Sequence, residues 1–200
     1  MVEEFAANGD LLKKIKSIER IDENESRFLF RQLTEALMYL QSIRVVHRDI
    51  KCENIFLDSH DNVKLGDFGF SRMMRLNDKS NTFCGSRAYA APEVLSSKPY
   101  SGFTVDLWSA GIVLYIMVTG LMPYDDRNLK KMLEKQLRHR VTFPKTVELS
   151  SEVKHLISEI LHPYPTQRKA YPEIIRSSWL INTPYRIRTK LDDLSNTNSP

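Results

Sequence analysis

Three short segments constrain this chain more than its composition does. They are HRDIKCEN at residues 47–54, GDFGFS at residues 66–71 and AAPE at residues 90–93, in that order and with short gaps. Asp49, Lys51, Asn54 and Asp67 fall inside them. The flanking runs 45–46, 54–57 and 63–65 are short and β-prone. The polar residues 58–62 join the last two, which predicts a hairpin bracketing the first segment.

Elsewhere the pattern is helical. Asn8 and Gly9 read as a turn and Asp10 as the cap of a short helix to about Ser17. Asp22 with Glu25 three residues on resembles a capping box, and Phe30, Leu33, Leu37 and Leu40 then recur at helical spacing to about Ser42. Residues 105–118 are apolar almost all round, as in a helix buried on every side, with Gly120 as its stop. Further helices are expected at 128–139, 151–161 and 172–177, and disorder over the polar end 191–200.

Composition narrows the classes of partner. Twenty-nine Lys and Arg against 25 Asp and Glu give +4, but the basic residues form only small clusters at 13–16 and 138–140, so nucleic acid is not an expected partner. Cys52 and Cys84 form no CxxC pair, which argues against a disulfide framework or a zinc site and suits a reducing compartment. No charged and apolar leader opens the chain, and the apolar run 111–118 is far short of the ~20 residues of a membrane span. The expectation is one soluble domain, cytoplasmic and without a membrane partner. Cys84 reads as an inert small hydrophobe, Trp108 and Trp179 as core anchors, and His60, His139, His155 and His162 as surface residues.

The three segments, with DLWSAG at 106–111 and Arg168 behind them, resemble the protein kinase family over nearly the whole chain. The implied fold is mainly α, a kinase-like large lobe with short β-hairpins around the catalytic loop, over residues 1–182, with a polar tail at 183–200. The first 46 residues hold no GxGxxG loop and no VAIK-type lysine, so the small lobe is expected to be absent. The resemblance implies ATP and magnesium as cofactors and proteins with Ser or Thr acceptors as substrates. LYIMVTGLMPYDD at 114–126 is similar to the testis-specific serine/threonine kinases of the calcium/calmodulin-dependent group, whose members act in sperm formation.

That resemblance assigns roles residue by residue. Asp49 would accept the hydroxyl proton, Lys51 would offset charge on the phosphate, and Asn54 and Asp67 would hold magnesium. Ser86 would contact Asp49 and Lys51, a serine/threonine-kinase trait. Glu53 would receive a basic substrate side chain. Glu93 and Arg168 would form a buried ion pair, and Asp106 is a structural residue of DLWSAG. Thr82 would be the site of an activating kinase with Arg48 gripping its phosphate, or else a plain loop threonine; Ser80 is a weaker candidate. Around the adenine, Glu4 and Ala6 would offer backbone groups, Asp10 would meet the ribose, and Glu3 would gate the rear of the pocket. Phe56 is either the pocket floor or a core phenylalanine. Two readings stay open: an ATP- and magnesium-dependent serine/threonine kinase, or an inactive kinase-like binding or scaffold module.

Overall fold

A computed structural model describes residues 4–75, 77–80, 85–190 and 192. Asp10 caps α1 (Leu11–Ile18) by accepting from the Lys13 amide at 2.9 Å, as its position suggests. Asp22 caps α2 (Glu23–Ser42) through the amides of Asn24 and Glu25. The expected capping box is completed on that side alone, because the Glu25 carboxylate turns to Arg188. Glu23, next in the chain, accepts from the Ser150 amide at 2.6 Å and from the Trp179 indole at 2.9 Å. One carboxylate thus joins the start of α2 to the cap of α6 (Ser151–Ile160) and to the end of the domain.

The strands are short. β1 (Val45–Val46) pairs antiparallel with β4 (Arg72–Met73), and β2 (Ile55–Leu57) with β3 (Val63–Leu65) in the register Ile55 to Leu65 and Leu57 to Val63. The β2–β3 pair is the expected hairpin. The chain then forms α3 (Pro92–Leu95), α4 (Gly102–Thr119), α5 (Leu129–Leu137) with Asn128 as its cap, α6, and α7 (Tyr171–Ile175), slightly shorter than the sequence implies. Of the expected disordered end, residues 191 and 193–200 lie outside the described residues.

Helix α4 is the centre of the core, with α2 and α6 packed on it and Trp108, Ile112, Leu114 and Met117 fully enclosed. Its length and mean hydropathy of 1.5 would suffice for a membrane span, but 94% of it is buried inside the protein. Full enclosure removes the need for a polar face, which is why no amphipathic period shows in its sequence. α4 ends where Gly120 turns left-handed at φ 72° and donates its amide to Ile116. Trp108 and Trp179 are core residues as expected. His60, His139 and His162 are half-buried rather than on the surface, and the rings of His139 and His162 are in edge contact at 4.4 Å.

Candidate active site

The 47–54 loop is held from below by one carboxylate. Asp106, buried in the first turns of α4, accepts the amide of His47 at 2.7 Å with one oxygen and that of Arg48 at 2.7 Å with the other. Burial pushes its carboxyl up to about 7, against the pull of those two amides. Both oxygens accept, so this residue type is needed for the turn in which Arg48 takes φ 68°. The His47 ring couples the loop to the second segment. Its Nε2 lies 2.9 Å from the Gly66 carbonyl, its Nδ1 faces the Asp49 amide at 3.3 Å, and its ring meets Phe68 edge-on at 4.8 Å. Nε2 therefore carries the proton, and burial lowers the His47 pKa.

Asp49 is the best-partnered residue of the site. Oδ2 receives the Lys51 ammonium at 2.7 Å and the Asn54 amide at 3.2 Å, while Oδ1 receives the Ser86 backbone amide at 3.0 Å. Burial opposes its charge, but the Lys51 ammonium and the Ser86 donors outweigh that and hold its carboxyl below the usual range. Lys51 also reaches the Ser86 hydroxyl at 3.4 Å. Ser86 can come this close because Gly85 turns at φ 83°; a Cβ there would lie 2.5 Å from the Arg48 carbonyl. Asn54, itself buried, commits its amide nitrogen to the Asp49 carbonyl at 2.9 Å as well as to Oδ2, so its amide oxygen is left for another partner.

Asp67 is exposed, in a left-handed conformation at φ 57°, with one oxygen accepting from Gly69 at 3.3 Å. It opens onto a cavity of about 850 Å³ that Glu4, Ala6, Asp10 and Phe56 also line, whereas Asp49, Lys51 and Asn54 are not among the lining residues. Phe56 is half-buried and lines that cavity. The segment before α1 is anchored on β2 by two backbone bonds, Asn8 to Leu57 at 3.1 Å and Leu57 to Gly9 at 2.8 Å. Glu4 pairs with Lys64 at 3.1 Å, and the Ala6 carbonyl accepts from Gly9. Asp10 lines the cavity while its carboxylate makes the expected cap of α1 and meets Lys13 at 3.2 Å, since the first turn of a helix leaves amides that need an acceptor.

At the far edge, Glu93 and Arg168 form the expected ion pair, bidentate at 3.0 and 3.1 Å and buried. The Thr104 and His162 carbonyls take further guanidinium donors, and the Trp108 face lies 5.0 Å away. Glu53 is exposed and accepts from the Tyr89 hydroxyl at 3.3 Å. Arg48 gives Nε to the Phe70 carbonyl at 2.7 Å. Glu3, Thr82 and Cys84 lie outside the described residues. Ser80, the weaker candidate, is buried, and its backbone pairs in both directions with Tyr100.

Residues 1–180 match the family model for the protein kinase domain. The chain belongs to the protein kinase family. It is 48% identical to testis-specific serine/threonine-protein kinase 1 of Mus musculus, over 90% of this chain and 51% of that protein. It is 49% identical to testis-specific serine/threonine-protein kinase 2 of the same species, over 90% and 52%, and 38% identical to serine/threonine-protein kinase SRK2F of Arabidopsis thaliana, over 92% and 54%. The chain spans about half the length of these curated relatives. Sequence reasoning missed part of this kinase domain's cavity. Ala36, Tyr39 and Leu40 of α2 line it beside Leu65 and Phe68, and the regular apolar period of α2 marks Leu40 as core without distinguishing which end of the stripe is left open.

Proposed function

We propose that the protein is a magnesium- and ATP-dependent serine/threonine protein kinase and that this chain carries its hinge and large lobe. The observation that carries this reading is the Lys51 ammonium between Asp49 at 2.7 Å and the Ser86 hydroxyl at 3.4 Å. An ionised carboxylate with a cation and a hydroxyl beside it is what transfer to an aliphatic hydroxyl requires. Asp49 accepts the hydrogen bond of the acceptor and aims its oxygen, and Lys51 faces the charge on the phosphate in transit.

Magnesium fits the donors present. Among the described residues no group of three or more His, Cys, Asp or Glu could hold a metal alone. Asn54 and Asp67 each retain an oxygen, the donor type magnesium takes, and would hold the ion jointly with the nucleotide's phosphates. When bound, the ion neutralises charge on the phosphate oxygens. Adenine is assigned to the Phe56 side of the cavity, with Glu4 and Ala6 at its edge. The exposed Glu53 suits a basic substrate side chain. Thr82 is the proposed site of an activating kinase, with Arg48 as the partner of its phosphate. A cytoplasmic location and a role in sperm formation complete the reading, the latter from the testis-specific names of the relatives.

The test is a transfer assay with the full-length protein, magnesium, ATP and three basic peptides differing only in a Ser, Thr or Tyr acceptor. Phosphate should enter the Ser and Thr peptides in clear preference to Tyr, and Thr82→Ala should lower the rate. Transfer to none of the three would overturn the reading in favour of a binding or scaffold module.

A further inference from the structure

Residues 183–188 follow the segment matched by the kinase family model, yet they are bound to the domain through their backbone. Arg31 of α2 donates to the Thr183 carbonyl at 3.0 Å. Gln32 donates to the Arg186 carbonyl at 2.8 Å, and Asn62, in the turn between β2 and β3, donates to the Arg188 carbonyl at 2.9 Å while accepting its amide at 2.7 Å. Gln32 and Asn62 are both more than nine-tenths buried. A buried primary amide is costly unless its donors and acceptors are met, so these two residues require the strand of chain that covers them.

The same two amides reach toward the cavity. Gln32 Nε2 donates to Asn62 Oδ1 at 3.0 Å, and Gln32 Oε1 accepts the Val63 amide at 2.6 Å. Val63 opens β3, whose residues Val63, Lys64 and Leu65 line the cavity and run directly into Gly66 and Asp67. Phe56 stands opposite Lys64 in the same hairpin. The outer end is fixed by Arg188, whose guanidinium forms a bidentate pair with Glu25 and lies 3.8 Å above the Phe28 ring. That geometry, a planar fork on a carboxylate with its face on an aromatic ring, is one a lysine reproduces only in part.

We propose that residues 183–188 are a strap that sets the β2–β3 hairpin of the nucleotide site, with Arg188 as its positioning residue. In naming a nucleotide as what the hairpin faces, this rests on the kinase reading above. Arg188 touches neither the cavity nor Asp49; it acts through Asn62, Gln32 and the Val63 amide. Loss of its anchor frees the strap, leaves two buried amides short of partners, and lets the hairpin open more often.

The experiment compares full-length wild-type protein with Arg188→Ala and Arg188→Lys, reading amide hydrogen exchange across the whole chain and the kinetics with ATP. Exchange over residues 55–65 should be about tenfold faster in Arg188→Ala, with the α4 and α6 amides unchanged and Arg188→Lys in between. KM for ATP should rise about three- to tenfold with kcat within about twofold, the pattern of lost binding shared by ground and transition states. Unchanged exchange over 55–65, or equal acceleration at every amide, would overturn the strap. The exchange measurement stands without turnover, so an inactive wild-type protein would count against the kinase reading alone.

Discussion

His47 shows how one side chain is read by two segments. Its ring must stay neutral to accept from the Asp49 amide while donating to the Gly66 carbonyl, and burial, the largest influence on it, favours that neutral form. The unfolded chain takes up a proton at the ordinary value near 6.5, and the folded chain only at lower pH. His47 therefore contributes stability that is full above pH 6.5 and is lost as pH falls from there through its lowered folded value. Following the His47 ring by NMR should give a titration midpoint below 6.5; a midpoint at or above 6.5 would contradict the buried neutral tautomer. The residues proposed to have direct chemical roles, Asp49, Lys51, Asn54 and Asp67, were legible because two short motifs spell them. Their supports were not. Tyr89, Gln32 and Asn62 meet their partners at separations of about 30 residues or more, and nothing in their own neighbourhoods marks them.

At the scale of elements, the helices were readable from caps and apolar spacing, and α4 from the lack of any polar face. β4 was not, because Arg72–Met73 has no pattern of its own and exists as the partner that β1 finds. The end of the segment after Asp67 depends on a contact of the same long-range kind. Glu93 in α3 meets Arg168, and Arg168 in turn holds the Thr104 and His162 carbonyls, so one guanidinium ties α3, α4 and the loop after α6. Removing it leaves a carboxylate buried with no counter-charge. Arg168→Ala should lower the unfolding free energy by about 3–5 kcal/mol, as breaking a buried pair does. Urea denaturation checks this, and a loss below about 1 kcal/mol, the range of exposed ion pairs, would show that the pair is not enclosed.

Across the whole molecule, a mainly helical body holds the loop that bears Asp49 and the hairpin that lines the cavity. α4 supplies both the core and, through Asp106, the floor of the 47–54 loop, so stability and site geometry share a helix. The family and the mainly helical fold followed from motif order; the division between domain and tail at residue 182 did not anticipate the backbone bonds of 183–188, because amide side chains that bind backbone leave no sequence signature in the segment they bind. The role proposed for Asp49 is to orient an acceptor hydroxyl for phosphoryl transfer. Its most direct test is the single-turnover rate of the full-length protein carrying Asp49→Asn, beside a thermal unfolding curve and an ATP titration. The account predicts a rate lower by about 10² to 10⁴, the range for loss of a group that handles the transferred proton, with unfolding and ATP affinity close to wild type. A variant that transfers phosphate at the wild-type rate would contradict it.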